Sequence, residues 1–253
     1  MKEQSPSLDL TALVLCGGLG TRLREKTNDQ LPKVLYPVAG QPIIEYSIKP
    51  FYDANITHVV FLTAYLNHIV VDYFRGNAKR SPPNGTAISF SVEEYPTGIL
   101  SAVQFALKEN VINTMFSVSD GDIIRLGLDI ADLFLFNQET RAMTTVVATT
   151  VPPADATEYH GVRVDKDMKV IEIVDPPRES SPDILTLTGM VLCRPEATRV
   201  LKDIDSCRYP NWSDLLKALF LAGDINIFAR PILYFNLNTP ESIDIAEQVL
   251  SQG

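Results

Sequence analysis

The residues best suited to ligand chemistry lie in a glycine-rich loop near the start of the chain. The segment Gly17–Leu23 (GGLGTRL) directly follows an apolar run at Thr11–Cys16 (TALVLC). Because glycine has no Cβ, the backbone N–H groups of such a loop can approach phosphate oxygens that a larger side chain would keep away. Arg22 adds a planar guanidinium that matches phosphate oxygens, and Lys33 adds a second cation. These residues point to a polyphosphate ligand, although a tight turn with solvated charges stays open for the loop alone.

Two common phosphate-binding motifs do not fit this loop. Leu23 occupies the place of the third glycine of the dinucleotide-binding fingerprint. No Gly-Lys-Ser/Thr sequence follows the glycines, so the loop is not a Walker A loop either. The sequence therefore argues against both of these nucleotide-binding classes.

A second group of candidate residues lies in the segment Ser119–Ile123 (SDGDI). The segment follows an apolar run, so its acids are expected at the carboxyl edge of a sheet, where α/β proteins bind ligands. Mg²⁺ that is shared with substrate phosphates is commonly held by one or two carboxylates. Asp122 is therefore a candidate metal ligand, with an ordinary acid in a turn as the alternative.

The first half of the chain alternates short apolar runs with longer amphipathic ones. This alternation predicts a mostly parallel sheet with helices on both faces. The predicted strands are Thr11–Cys16, His58–Tyr65, Ile88–Glu93 and Thr114–Ser119, and the predicted helices are Pro42–Tyr52, His68–Phe74, Ile99–Glu109 and Ile130–Glu139.

After Met143 the pattern changes and favours antiparallel strands. Gly161–Asp165 and Lys169–Val174 flank a polar turn, which predicts a hairpin. Further strands are predicted at Leu185–Cys193 and Tyr234–Leu237, with helices at Ala197–Lys202 and Trp212–Leu221 and a helix start at Thr239–Glu241. We expect one α/β domain over residues 1–253, a Rossmann-like three-layer sandwich with a nucleotide-binding half at about 8–142 and a second half at about 143–253.

Composition narrows the class of protein. The chain has 253 residues, of which 45% are hydrophobic and 21% charged, as in an ordinary globular protein. The formal net charge of -9 argues against nucleic acid or an anionic membrane as the main partner. No signal peptide or membrane span is evident, so a cytoplasmic location is expected. The three cysteines show no CxxC spacing and predict neither a disulfide framework nor a zinc site.

The opening LVLCGGLGTRLREKTNDQLPKVLYPVAGQPIIEYSI resembles that of the sugar-1-phosphate nucleotidyltransferases. The family signature is Leu-Ala-Gly-Gly-x-Gly-Thr-Arg-Leu followed by Pro-Lys, and only Cys16 departs from its first part. The resemblance implies that the loop and Arg22 hold the β- and γ-phosphates of a nucleoside triphosphate and that Lys33 contacts the α-phosphate. The implied loop residues are Gly17, Gly18, Gly20 and Thr21, and the implied catalytic residues are Arg22 and Lys33.

The same resemblance implies a base-binding segment at Glu93–Gly98. Relatives that use uracil or thymine carry glutamine where this chain has Glu93, while Gly98 contributes backbone contacts. An ionised carboxylate only accepts hydrogen bonds, and guanine offers adjacent N1–H and N2–H donors. The sequence thus favours GTP, with CTP and a solvent-facing Glu93 as open alternatives.

By resemblance, a second metal ligand precedes the last helix, where relatives have an aspartate. This chain has Asn236 at that position, and Asn238 is a second candidate. An amide oxygen still suits a hard cation. We expect Mg²⁺ held by Asp122 and Asn236.

The match is weaker in the implied sugar-binding segments. Gly161, Asp175 and Thr188 are the implied sugar-binding residues, but Pro176 replaces a lysine that relatives use for the sugar phosphate. Leu100 also adds bulk where relatives have a small residue. The sugar therefore stays open among mannose, heptose and glucose.

The resemblance implies an enzyme that joins a nucleoside triphosphate to a sugar 1-phosphate and releases pyrophosphate. Two alternatives stay open: a nucleotide-binding regulatory domain of the same fold with little or no turnover, and a nucleotidyltransferase of the molybdopterin or methylerythritol type. The chain stops short of the C-terminal β-helix that many relatives append, so no such domain is expected. Formation of a homo-oligomer is left open.

Overall fold

The computed structural model describes residues 7–76, 82, 85–110, 112–151, 156–179, 181–206 and 211–251. The strands are β1 (Leu8–Leu15), β2 (Pro37–Val38), β3 (Gln41–Pro42), β4 (Ile56–Thr63), β5 (Ala87–Val92), β6 (Met115–Asp120), β7 (Ile123–Leu126), β8 (Thr144–Thr149), β9 (Gly161–Val164), β10 (Val170–Val174), β11 (Ile184–Cys193), β12 (Ile225–Arg230) and β13 (Leu233–Asn236). The helices are α1 (Arg24–Thr27), α2 (Ile43–Asp53), α3 (Asn67–Arg75), α4 (Ile99–Glu109), α5 (Ile130–Thr140), α6 (Ala197–Asp203), α7 (Trp212–Ala222) and α8 (Pro240–Leu250).

The main sheet is mixed, as the sequence predicts. Strands β5, β4, β1 and β6 are parallel neighbours in that order, and β11 runs antiparallel beside β6. On its other side β11 pairs antiparallel with β8 and with the β9–β10 hairpin, and β12 is parallel to β8. The predicted α/β class, with an antiparallel region in the second half, is confirmed.

Strand β1 lies at the centre of the molecule because its sequence suits burial on both faces. Leu10, Ala12, Leu13 and Val14 are each at most 1% exposed, the pattern of a strand in the middle of a parallel sheet. Its register aligns Leu15 with the ends of β4 and β6. The loops that follow these parallel strands therefore meet at one edge of the sheet.

Helices cover both faces of the sheet and enclose two apolar clusters. One cluster joins α4, α6 and α7 to the sheet and contains Leu13 together with Ile227, so both halves of the chain contribute to it. The other joins α2, α3 and α5 to the opposite face. A smaller cluster includes Ile124 and Ile243 and holds α8 beside β7.

The structure contains strands that the sequence analysis did not predict. β8 and β12 extend the main sheet, and β7 pairs antiparallel with β13 in a separate two-stranded sheet. β8 (TTVVAT) is rich in threonine, which weakened its apolar pattern although threonine is common in strands. The predicted strand at Tyr234–Leu237 begins one residue earlier, and α8 begins as predicted, capped by Thr239.

No helix among the described residues is both long enough and apolar enough to cross a bilayer. Cys16 and Cys193 are buried free thiols, and Cys207 lies outside the described residues.

Candidate active site

A cavity of about 430 Å³ lies at the carboxyl edge of the sheet, and we call it the first cavity. Three features that are distant in the sequence line it: the glycine-rich loop, the residues after β5 and the residues after β6. Its lining includes Gly17, Gly18, Gly20, Thr21, Arg22, Lys33, Glu93, Gly98, Asp120, Asp122 and Asn238. The structure thus brings together all the residues predicted to hold the nucleotide, and the metal candidate Asp122.

The glycine-rich loop needs glycine at two positions for different reasons. A Cβ added to Gly17 would lie 2.9 Å from the backbone nitrogen of Ala64, so the loop passes directly over the end of β4. Gly20 has a φ of +60°, a conformation that side chains rarely adopt. Its carbonyl accepts a hydrogen bond from Leu23 N (2.9 Å) and starts a 3-10 turn at Thr21–Leu23. This turn places Arg22 in the lining of the cavity.

Lys33 is held inside the first cavity by two acceptors. A 3-10 turn at Lys33–Leu35 follows Pro32 and fixes the backbone. Lys33 Nζ donates to Asp122 Oδ2 (2.5 Å) and to Asn238 Oδ1, and the Asn238 amide donates to Asn236 Oδ1. The lysine side chain is only 9% exposed. The residues before α8 are therefore joined through Lys33 to the turn after β6.

Asp120 belongs to this site although the sequence analysis did not select it. It ends β6 and lies two residues before Asp122, on the other side of Gly121. Burial, together with the nearby Asp122 carboxylate, raises the pKa of Asp120 to about 7. A Cβ added to Gly121 would lie 2.7 Å from the carbonyl oxygen of Leu15, so the turn is pressed against β1. The sequence signal that could have identified Asp120 is the acid-Gly-acid spacing of Asp120, Gly121 and Asp122.

Arg125 is a second residue that sequence reasoning missed. It is 4% exposed, and its guanidinium donates to the carbonyl oxygens of Thr188 and Gly189, both at 2.7 Å. Burial lowers the pKa of Arg125, and the neighbouring Asp120 opposes this effect. Gly189 has a φ of +63°, and a Cβ there would collide with the Asp120 carboxylate. Arg125 thus fixes the irregular part of β11 beneath Asp120.

Glu93 follows β5, which β4 and β1 separate from β6 and its Asp120. Its N–H donates to Thr63 O (2.9 Å), which fixes the backbone beside the end of β4. The hydroxyls of Thr97 and Ser101 both lie within hydrogen-bond distance of Glu93 Oε1, at 3.0 and 3.3 Å. Burial raises the pKa of Glu93, and these two hydroxyls oppose the rise. Gly98 begins α4 with a φ of +119°.

The bulky Leu100 does not enter this pocket. It is 0% exposed and packs in the core cluster under α4.

A second cavity of about 720 Å³ adjoins the first. The two cavities share Arg22, Asp120 and Asn238. The rest of its lining combines aliphatic residues with aromatic and polar side chains, and the aromatic, acidic and amide ones are Glu158, Tyr159, His160, Trp212, Tyr234, Asn236 and Glu241. The two cavities therefore meet at the guanidinium of Arg22, the carboxylate of Asp120 and the amide of Asn238.

The three predicted sugar-binding residues lie beside the second cavity and not in its lining. Gly161 starts β9, where a Cβ would lie 2.7 Å from Ile184 Cγ2. Thr188 is buried, and its hydroxyl donates to Val147 O (3.0 Å). Their sequence neighbours His160, Pro176, Leu187 and Gly189 do line the cavity.

Asp175 forms an ion pair with Lys217 of α7 (2.6 Å) and lies 3.4 Å from His160 Nδ1. Burial opposes ionisation, but hydrogen bonds from Lys217 and Ser213 hold the pKa of Asp175 below its usual value. A lysine from another element therefore lies near the position where Pro176 replaces the expected one.

The donor atoms at the junction of the cavities fit a hard divalent cation. Among the described residues no cluster of three or more His, Cys, Asp or Glu side chains could hold a metal by itself. The oxygen donors near the junction are the carboxylates of Asp120 and Asp122 and the amide oxygens of Asn236 and Asn238. Such an incomplete oxygen set suits Mg²⁺, which keeps substrate phosphates and water among its ligands.

Two curated proteins are similar to this chain in sequence. The chain is 27% identical over 245 residues to the D-glycero-alpha-D-manno-heptose 1-phosphate guanylyltransferase of Aneurinibacillus thermoaerophilus. This match covers 95% of the chain and 98% of the relative. It is 30% identical over 171 residues to the bifunctional protein GlmU of Methanococcus vannielii, but this match spans 67% of the chain and only 36% of that relative.

Solved structures share the fold. The crystal structure of HddC from Yersinia pseudotuberculosis complexed with GMP-PN matches 95% of this chain and 99% of its own, with a TM-score of 0.75 at 21% identity.

A family model described as nucleotidyl transferase matches residues 11–224, which includes the glycine-rich loop, Glu93 and Asp122. The match confirms the resemblance that the opening segment carries, and the chain belongs to the nucleotidyl transferase family.

Proposed function

We propose that the protein transfers a nucleotidyl group from a nucleoside triphosphate, with GTP preferred, to a sugar 1-phosphate. The products are a nucleoside diphosphate sugar and pyrophosphate. The observation that carries the proposal is the meeting of two cavities at Arg22, Asp120 and Asn238, with Lys33 bonded to Asn238. Two substrates that occupy these cavities have their phosphates side by side.

The first cavity suits the nucleotide. Gly17, Gly18, Gly20 and Thr21 lie along its wall and can present backbone N–H groups to the β- and γ-phosphates. Glu93, which follows β5 in the same lining, offers a carboxylate acceptor to the base. Guanine has two adjacent donors for such an acceptor, whereas the carbonyl oxygens of uracil and thymine repel it.

The second cavity suits the sugar phosphate. Its walls combine aromatic faces with acidic and amide side chains, which can accept hydrogen bonds from sugar hydroxyls. Mannose, heptose and glucose 1-phosphates are the proposed acceptors. The guanylyltransferase that matches nearly its whole length to this chain acts, by its name, on a heptose 1-phosphate.

The chemistry needs positioning and charge stabilisation. An oxygen of the sugar phosphate attacks the α-phosphorus in line, the bond between that phosphorus and the bridging oxygen breaks, and pyrophosphate leaves. The attacking oxygen is already ionised near neutral pH, so no general base is required. Arg22 and Lys33 offset the charge on the transferred and leaving phosphates, and the loop holds their orientation.

Mg²⁺ is the proposed cofactor, with Asp122 and Asn236 as the ligands first expected and Asp120 and Asn238 as adjacent donors. When bound, it supplies positive charge to the triphosphate oxygens. Asp122 is paired with Lys33 in this structure, so a bound cation would share this carboxylate with the lysine, whose ammonium lies in the first cavity within reach of the α-phosphate.

The alternative is a nucleotide-binding regulatory domain with little or no turnover. Pro176 and Asn236, where relatives have lysine and aspartate, are the features that favour it. Two residues argue against this alternative. Lys217 pairs with Asp175 and so brings a lysine close to Pro176. Asp120 lines the same cavity as Asn236 and so brings a carboxylate close to that amide.

One screen tests the proposal. GTP, CTP, UTP and dTTP are each combined with mannose, glucose, heptose and N-acetylglucosamine 1-phosphates in the presence of Mg²⁺, and pyrophosphate release is measured. Release with GTP and one of the first three sugars is expected. Nucleotide binding without release from any pair would establish the regulatory alternative, and faster release with UTP or dTTP than with GTP would overturn the base preference.

A further inference from the structure

The Glu93 carboxylate is restrained on one side only. Both hydroxyls that reach it bond the same oxygen, Oε1: Thr97 Oγ1 at 3.0 Å and Ser101 Oγ at 3.3 Å. The two hydroxyl oxygens are also 2.6 Å apart. Among the described residues no hydrogen bond reaches Oε2, and Glu93 lines the first cavity. Oε2 is therefore the oxygen left for a ligand.

The three side chains come from different elements of the backbone. The Glu93 backbone is bonded to the end of β4, Ser101 lies in the first turn of α4, and Thr97 lies in the loop between them. Each hydroxyl has a single hydrogen. The short contact between Thr97 and Ser101 therefore makes the pair a relay, in which one hydroxyl donates to the other and that one donates to Oε1.

We propose that Thr97 and Ser101 are positioning residues that make Glu93 selective for bases with adjacent N–H donors, guanine above all. This inference rests on the proposed function, because it assigns the base end of the same site. The relay ends in a hydrogen bond to Oε1, which holds the carboxylate in one rotamer and favours its ionised form. A fixed, ionised acceptor strengthens binding to an N–H edge and repels the carbonyl oxygens that flank the single N–H of uracil.

Ser101 is the more informative of the two residues. Its hydroxyl is the only feature that distinguishes it from alanine, which is a better helix former. Loss of a helix at this position is therefore not expected when the hydroxyl is removed. Ser101→Thr keeps a hydroxyl at the same position and provides a conservative variant.

The test measures dissociation constants of a non-hydrolysable GTP analogue and of UTP by calorimetry. For Ser101→Ala we expect the GTP-analogue Kd to rise about fivefold, the effect of one lost hydrogen bond, while the UTP Kd stays the same or falls. Thr97→Val, at an exposed position, should act in the same direction. Ser101→Thr should restore the wild-type ratio of the two constants.

A double-mutant cycle separates positioning from a general structural effect. In a Glu93→Gln background, Ser101→Ala should no longer change the ratio of the two dissociation constants, because no carboxylate remains to be held. Two results would overturn the inference. One is a ratio of dissociation constants that is unchanged in both Ser101→Ala and Thr97→Val. The other is an equal effect of Ser101→Ala on this ratio in the wild-type and Glu93→Gln backgrounds. A wild-type protein that binds neither nucleotide would overturn it as well.

Failure of the proposed function gives a different result. If wild-type protein binds the GTP analogue but releases no pyrophosphate with any sugar 1-phosphate, the transferase activity is wrong. The ratio of dissociation constants then still decides the role of Thr97 and Ser101.

Discussion

Lys33 Nζ lies 2.5 Å from Asp122 Oδ2, and the same ammonium donates to Asn238, which lines both cavities. The pair joins a residue from the segment after the glycine-rich loop to one from the turn after β6, 89 positions further along the chain. It places a shielded positive charge where the phosphates of two substrates would meet. The Lys33 ammonium pairs with Asp122 in this structure, and in the proposed reaction it stabilises the negative charge of the phosphates in the transition state.

Lys33→Ala should lower the rate of pyrophosphate release strongly and nucleotide affinity weakly. Loss of one preorganised charge at a developing anion costs about 2–4 kcal/mol, or roughly 30- to 1,000-fold in kcat. Lys49→Ala is a matched control, because Lys49 pairs with Asp53 on the exposed face of α2. A near-normal kcat in Lys33→Ala would remove the catalytic role that we assign to this residue.

Asp122→Asn should raise the Mg²⁺ concentration needed for half-maximal turnover. A carboxylate carries a full charge to the cation, and an amide oxygen in its place binds more weakly. Magnesium titrations of pyrophosphate release check this, with Asp53→Asn as the control for a lost surface carboxylate. Removal of Mg²⁺ by a chelator should abolish turnover in both proteins. Turnover that continues at full rate with chelator present would contradict the proposed cofactor.

The strongest sequence signals correspond to structure that is local in the chain. β1 is a continuous apolar run, the glycine-rich loop follows it directly, and Thr239 caps α8 as its side chain predicts. These features depend on residues that are neighbours in the sequence. Their existence and approximate bounds were therefore predictable.

Contacts between distant segments were not predictable in the same way. Arg125 reaches the carbonyl of Gly189 across 64 positions, and Lys217 reaches Asp175 across 42. No spacing rule relates residues so far apart, and a buried arginine looks like any other arginine in a sequence. The role of Arg125 became visible only when the structure placed its guanidinium against the β11 carbonyls of Thr188 and Gly189.

Gly17→Ala and Gly18→Ala should separate packing from ligand contact. A Cβ at Gly17 would meet the Ala64 backbone nitrogen at 2.9 Å, whereas one at Gly18 has no neighbour within 4 Å. We expect a lower melting temperature for Gly17→Ala and an unchanged one for Gly18→Ala. If the Gly18 backbone approaches phosphate, Gly18→Ala should still raise the Kd for GTP. A Gly18→Ala protein with wild-type affinity would argue against phosphate contact at this glycine.

His58 should make the fold less stable in mildly acidic solution. Burial lowers the pKa of His58, whose Nε2 lies 2.8 Å from Ser89 Oγ. The unfolded chain, with a histidine pKa of about 6.5, then binds a proton more readily than the folded one, so the free energy of unfolding falls as the pH drops through this value. Melting temperatures at pH 7.5 and 5.5 should differ more for the wild type than for His58→Gln, which keeps a polar side chain but cannot titrate. His68 and His160 are present in both proteins and cancel in this comparison. An equal pH effect in the two proteins would show that His58 is ionised as readily in the folded state as in the unfolded one.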